Sequence, residues 1–259
     1  MRLQHLLPNQ FQKAISQGWP LLVPAGVIEY HGPHMALGLD TLVVDELLER
    51  VSARVDSIVA PPFWYGPTGY AVTGANQGTL DVSTERFGRH VKDVLNSFWD
   101  MGFKWIIVCI HHQGLDGPEA LSIRQAAAEV IFERSHLERG DAWWGKAPLD
   151  PKDKVFERIQ VWPSVLPAAA AQGVVMADHA GYYETSLLMA AHPELVKLEL
   201  LGSDAPWFCN APDSKATQAS SEAGNLMWQA MVDAWEADLS RLTRPARPSP
   251  TDVTMQGLF

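Results

Sequence analysis

The sequence predicts an α/β fold, a single domain with a mainly parallel β-sheet and helices on both faces. Three observations carry it. Residues 20–28 are continuously apolar, and residues 103–110 are so but for Lys104, rather than alternating, as strands are when both faces of a sheet are covered. Each run passes into a polar, histidine-bearing loop and then into a helical pattern, so strand, loop and helix recur as in βαβ units. The 259 residues are 47% hydrophobic, and a chain of this size buries roughly 70–75% of its unfolded surface.

Taken in order, residues 20–28 predict a buried strand, and residues 40–51 a helix with Val43, Val44, Leu47, Leu48 and Val51 on one side. Asp40 stands at the head of that helix, where an N-cap carboxylate is expected. Residues 56–61 predict a short second strand ended by Pro61-Pro62. A long loop follows over 63–80, a length typical of functional loops, and its aromatics favour a pocket wall. Residues 83–101 predict a helix through Phe87, Val91, Val94, Leu95 and Phe98, with Thr84 as its cap. Residues 103–110 predict the clearest strand and 118–139 the helix after it. Residues 141–167, with Trp143-Trp144 and Trp162-Pro163, read as an excursion, because no separate apolar core accompanies them. Residues 172–177 resemble a short strand leading through a third polar loop, 178–186, into a helix at 187–192. Trp228, Met231, Val232, Trp235 and Leu239 form a helical stripe. The domain is expected over 1–243, with an extended tail at 244–259.

The formal net charge of −10 argues against a nucleic-acid or anionic-membrane partner, since phosphate binding needs a basic face. No apolar run approaches the ~20 residues of a membrane-spanning helix, and the first residues do not resemble a secretory signal. Cys109 and Cys209 lie far apart, so no disulfide framework is expected and a reducing cytoplasm is the default. No Gly-x-Ser-x-Gly elbow, phosphate loop or dinucleotide fingerprint is present. The expected partner is a small-molecule substrate.

The polar loops hold the candidate chemistry. Glu29 and His31 are two apart, so on an extended backbone both side chains leave one face. His34 and Asp40 share their loop. His111 follows a buried strand, with His112 and Gln113 beside it, and Asp178, His179 and Glu184 repeat the pattern. Taken singly, these groups could be helix caps or ordinary exposed polar residues. In a parallel sheet, however, all three loops lie at the carboxyl edge, where ligands bind. Three or four such groups could hold a zinc ion with an open position, and five or six could hold two metals about 3.5–4 Å apart. The oxygen and nitrogen donors suit zinc, manganese or iron(II). Cys109 reads as a small core residue, with a cysteine nucleophile as the minor alternative.

Glu29-Tyr30-His31-Gly32-Pro33-His34 and Leu37-Gly38-Leu39-Asp40-Thr41 resemble the E-x-H-G-P-H-L-P-L-G-T-D signature of the creatininase (creatinine amidohydrolase) family. Gly78-Thr79-Leu80 resembles its G-T-L loop, residues 108–114 its N-G-H-G-G-N segment, and His179-Ala180-Gly181-Tyr182-Tyr183-Glu184-Thr185-Ser186 its H-A-G-x-x-E-T-S motif. The correspondences keep their order over residues 20–195. The resemblance implies a creatininase-like fold and a metal-dependent hydrolase acting on cyclic amides or related C–N bonds. It implies two divalent metals per chain and a homo-oligomer, a hexamer. Carried over by position, Glu29, Asp40 and His111 would hold one metal and His31, Asp40 and Glu184 the other, with Asp40 bridging. A water shared by the metals would attack, its pKa lowered towards 7. His179 would protonate the leaving group and Asp178 would orient it or act as base. His34, His112, Gln113 and Tyr70 would face the substrate.

The third motif departs from the family pattern. With His111 as the ligand, Gln113 stands where creatininase has a metal-binding glutamate, which makes Glu184 the expected carboxylate and creatinine a doubtful substrate. Tyr65, Tyr70, Trp143, Trp144 and Trp162 are either pocket walls or ordinary core and interface aromatics. The reactions compatible with these residues are opening of a lactam or amide, deformylation of a formamide, cleavage of a peptide, and hydrolytic ring cleavage of a cyclic diketone such as an inosose-type polyol ketone. The alternative from another class is a non-catalytic binding protein that has lost its second metal site.

Overall fold

The computed structural model describes residues 1–150, 153–175 and 178–243. Its centre is a sheet of four strands, β1 (Leu21–Ala25), β2 (Ile58–Val59), β3 (Ile106–Ile110) and β4 (Ile159–Pro163), in the order β2-β1-β3-β4. Every pairing is parallel, and β1 and β3 run in register from Leu21 opposite Ile106 to Ala25 opposite Ile110. The loops that leave β1 and β3 therefore emerge side by side at one edge.

Alternation along the strands assigns each side chain to one of two buried layers. Leu22, Ile107 and Cys109 face the layer built with α2 (Leu39–Ser52), α5 (Pro167–Ala170), α6 (Tyr182–Ala191) and α7 (Ser221–Thr243). Leu21, Val23, Ile106, Val108 and Ile110 face the other layer, with α1 (Pro8–Ser16), α3 (Thr84–Asp100) and α4 (Pro118–Arg139). Helices thus cover both faces, as the continuous apolar runs require. Trp228 and Trp235 fill the α7 side, and their indole N–H groups donate to the carbonyls of Leu187 (3.0 Å) and Ser164 (2.9 Å), which satisfies the one polar atom each buries. A short antiparallel hairpin, β5 (Asn210–Ala211) and β6 (Ser214–Lys215), precedes α7.

Two glycines permit close approaches. A Cβ at Gly26 would lie 2.6 Å from Thr41 N, so this glycine lets the end of β1 meet the first turn of α2. A Cβ at Gly224 would lie 1.9 Å from Ser186 O, so α7 and α6 pack backbone to backbone there.

Several sequence expectations are corrected. Residues 141–167 are not merely an excursion: they carry β4, an edge strand whose only partial burial and terminal Pro163 hide it from an apolar-run reading. Residues 172–175 form no strand, because the chain turns at 171–173 and only Val174 is buried, while residues 176–177 lie outside the described residues. The helix expected at 187–192 begins at Tyr182, so Glu184 sits in a helical first turn rather than in a loop. Asp40 is likewise inside the first turn of α2, with Gly38 at the N-cap. Ser83, not Thr84, caps α3 by accepting from Arg86 N at 3.4 Å. The tail expected from Arg244 lies outside the described residues. Among the described residues, no helix is long and apolar enough to cross a membrane.

Candidate metal centre

The loop after β1 is folded back on itself by backbone bonds. Glu29 N donates to Leu37 O at 2.9 Å, and Leu80 N donates to Ile28 O at 2.9 Å, which pins the loop to the long segment before α3. Tyr30 N donates to Thr79 Oγ1 at 3.1 Å, which gives the Gly78-Thr79-Leu80 motif its structural role. Asp40 reaches the same place from α2, His111 and His112 from the end of β3, and Glu184 from the first turn of α6.

Three groups of three donor atoms result: Glu29, His31 and His179 form one, and Asp40 belongs to the other two. Glu29, Asp40 and His112 form the first of these two, with His112 Nδ1 3.4 Å from Glu29 Oε2 and 3.3 Å from Asp40 Oδ2. His31, Asp40 and Glu184 form the other, with His31 Nε2 3.6 Å from Asp40 Oδ1 and 3.7 Å from Glu184 Oε2. His31 Nδ1 donates to Glu29 O at 3.0 Å, which leaves the Nε2 lone pair directed at the carboxylates. Glu29 Oε1, His31 Nε2 and Asp40 Oδ2 are all buried without a hydrogen-bond partner. Buried polar atoms are rarely left so, and carboxylate and imidazole donors converging in this way fit a divalent cation.

The electrostatics agree. Burial pushes Glu29 up to about 7, with Asp40 and Glu184 adding to it against His112 and His31. Burial alone would lower the imidazoles, but Asp40 and Glu184 outweigh it at His31, raised to about 10, and Asp40 outweighs it at His112, raised to about 9. Burial would raise Asp40, yet His31 and His112 hold it well below the usual carboxylate range. The carboxylates demand positive charge, and protons on the imidazoles supply it where no metal does.

The position expected for His111 is taken by His112. Successive side chains leaving a strand point to opposite sides, so only one of the pair can meet Glu29 and Asp40. His111 lines the same cavity but meets the second donor group: Nδ1 lies 2.7 Å from Ser164 Oγ, and Nε2, buried without a hydrogen-bond partner, lies 3.3 Å from Glu184 Oε1. It braces Glu184 instead of joining Glu29. With the register moved by one, Gly114 rather than Gln113 stands two residues after the metal-facing histidine. Gln113 adopts a left-handed φ of +55° and donates Nε2 to Thr68 O at 3.1 Å.

The cavity above these groups has a volume of about 470 Å³, and Ala71, Val72, Gln113, Gly114, Asp178 and His179 form its upper wall. His179 Nε2 donates to Tyr30 O at 2.9 Å, and the ring lies between His31 (centroids 4.3 Å) and Phe208 (5.0 Å, edge-on). Its Nδ1 is left facing Glu29 Oε2 at 4.0 Å, and burial together with His31 lowers its pKa. Asp178 does not orient His179. Its Oδ2 accepts from Ser214 Oγ at 2.5 Å and Tyr183 N at 2.8 Å, its Oδ1 is buried without a partner, and burial with Glu184 raises it to about 6.

Two expected substrate contacts lie elsewhere. His34 is buried with Nε2 3.0 Å from Thr185 Oγ1, and Tyr70 is about half exposed, with neither on the cavity wall. Trp143 stacks with Phe132 and Phe156, and Trp162 with Trp235, also away from it. A larger groove of about 760 Å³ between α3 and α4 is lined by Glu85, Arg89, Lys92 and Glu129, whose charges pair among themselves, and it holds none of the buried groups. Ser164, Ser214 and Glu119 are missed by sequence reasoning. The serines sit in no recognisable pattern, and Glu119 looks like an ordinary acidic residue at a helix start.

The creatininase family model, described as creatinine amidohydrolase, matches residues 4–239. A 3-dehydro-scyllo-inosose hydrolase from Thermotoga maritima is 32% identical over 109 residues, 42% of this chain but only 35% of that enzyme's length. Creatinine amidohydrolase from Pseudomonas putida is 24% identical over 72% of this chain and 69% of its own. A crystal structure of creatininase superimposes with a TM-score of 0.75 at 20% identity, covering 94% of this chain and 98% of that one. A manganese form of creatininase gives 0.75 at 19% identity, covering 94% and 99%. A family match over nearly the whole length, on the fold that creatininase adopts, means that this chain belongs to the creatininase family of hydrolases.

Proposed function

We propose that this chain is a metal-dependent hydrolase that holds two divalent cations and opens a small cyclic amide or a related cyclic carbonyl compound. The observation that supports this most is the sharing of Asp40, whose two oxygens face two separate donor groups at the cavity floor. Glu29, Asp40 and His112 would hold one cation and His31, Asp40 and Glu184 the other, with His111 bracing Glu184. The donors suit zinc, manganese or iron(II), and manganese is present in one of the similar structures. Bound there, such a cation polarises a carbonyl oxygen and lowers the pKa of water.

The chain's own groups then handle protons. Hydrolysis adds water to the carbonyl carbon, breaks the ring bond and protonates the leaving atom. Asp178 Oδ1, free of partners and titrating near neutrality, takes the proton from water and hands it to the leaving atom. His179 stays neutral, with Nδ1 turned into the site as an acceptor and its ring held by Tyr30, His31 and Phe208. The base role of Asp178 is one that the family resemblance offers, whereas protonation of the leaving atom passes from His179 to Asp178.

The likeness to an inosose hydrolase favours a second reading, ring cleavage of a cyclic polyol ketone, in which carbon is the leaving atom. The small, partly polar cavity wall suits such a substrate as well as a cyclic amide. The experiment is metal analysis of the purified protein with a hydrolysis screen of cyclic amides, formamides and polyol ketones. Two metals per chain, and turnover abolished by Glu29→Gln, are expected. Metal bound with no turnover on any of the three classes would establish a binding protein instead. A homo-oligomer, six chains by family resemblance, working in the cytoplasm completes the proposal. The two unbridged, buried cysteines support the compartment, and light scattering measures the assembly.

A further inference from the structure

Glu119 is a fully buried carboxylate near the centre that neither Asp40-containing donor group uses. It is the second residue of α4, and neither of its oxygens has a hydrogen-bond partner. Gly66 crowds it from the loop side, where a Cβ would lie 3.2 Å from Oε1. An acidic residue in the first turn of a helix is ordinarily explained by the helix dipole, but that role needs no burial and would leave the oxygens to water.

A second orphan stands beside it. His112 turns Nδ1 to Glu29 and Asp40, so its other nitrogen, Nε2, points away from the donor group, and it too is buried with no partner. His112 and Glu119 feel each other's charge, Glu119 being one of the three carboxylates that act on this imidazole. A donor and an acceptor, both buried and both unpartnered, thus stand seven residues apart in the chain, one just after β3 and the other in the first turn of α4, without a direct hydrogen bond between them. Ligating histidines commonly give their second N–H to a carboxylate, which fixes the tautomer and strengthens the ligand.

We propose that Glu119 is the positioning residue of His112, accepting its Nε2–H through one ordered water and so reserving Nδ1 for the metal. This rests on the proposed metal centre and on the assignment of His112, rather than His111, to it. A single water is enough to bridge two such groups. The inference also explains why a carboxylate is buried at the start of α4 opposite Gly66.

The test is calorimetric titration of the chelated, full-length protein with manganese(II) or zinc(II), for wild type, Glu119→Gln and Glu119→Ala, with thermal unfolding of each apoprotein. Glu119→Ala is expected to weaken one of the two metals by about 10–100-fold, leaving the other nearly unchanged. Glu119→Gln, which still accepts a hydrogen bond but carries no charge, should weaken the same metal less, by up to about tenfold. Should the alanine variant not fold, the glutamine variant decides. Wild-type affinities for both metals in the glutamine variant would overturn the proposal, as would equal weakening of both together with a fallen apoprotein Tm, which marks a merely structural role. A wild type that binds no metal would instead overturn the proposed function on which the inference rests.

Discussion

His112 Nδ1 and Asp40 Oδ2 face each other at 3.3 Å, one from the loop after β3 and the other from the first turn of α2. Their approach puts His112, rather than His111, beside Glu29 and Asp40. Parallel pairing of β1 and β3 brings the two loops together, and the backbone alternation past Ile110 sends His111 to Ser164 instead.

The two histidines should therefore behave differently. His112→Ala is expected to remove about one metal per chain, whereas His111→Ala should keep two metals and weaken binding by about 10–100-fold through loss of the brace on Glu184. Metal stoichiometry and affinity of the two variants, measured side by side, check this. The reverse order would restore His111 as the ligand.

Asp40 serves both groups, so Asp40→Asn should cost both metals, while Glu29→Gln should mainly cost the one it shares with His112. Elemental analysis after dialysis distinguishes the two outcomes. Loss of metal should also lower the Tm, since a ligand bound only by the folded chain stabilises it by mass action.

Activity should fall with acidification through about pH 6, where Asp178 takes up a proton. The sign follows from the role: the ionised carboxylate accepts the proton, so the active form lies above its pKa. Ser214 donates to that carboxylate and lowers its pKa. Ser214→Ala should consequently move the acid limb of the kcat/KM profile to higher pH, and Asp178→Asn should reduce kcat by about 10²–10⁴-fold. An acid limb that does not move in Ser214→Ala would assign it to another group.

Gly224→Ala would place a methyl group against Ser186 O, two residues beyond Glu184 in α6. Overpacking of this kind costs about 1–3 kcal/mol. Because the clash bears on α6, metal affinity should drop along with Tm. Denaturant unfolding of the apo and metal-loaded variant measures both.

The sequence alone determined the layered α/β architecture, because uninterrupted apolar runs such as 20–28 and 105–110 are stable only inside a two-sided sheet. It also determined which loops bear chemistry, since Glu29, His31, Asp40 and Glu184 stand in dense local patterns. It did not show β4, whose residues are only partly buried at the sheet edge, nor Ser164, Ser214 and Glu119, each brought to the centre from a separate part of the chain. Only the tertiary structure puts His112 beside Glu29 and Asp40 and His111 beside Glu184. They differ by one step along the backbone, and that step becomes a choice of side once β1, α2 and α6 are packed around it. Local pattern carries information about neighbours in sequence, whereas a shared carboxylate such as Asp40 is defined by groups more than a hundred residues apart.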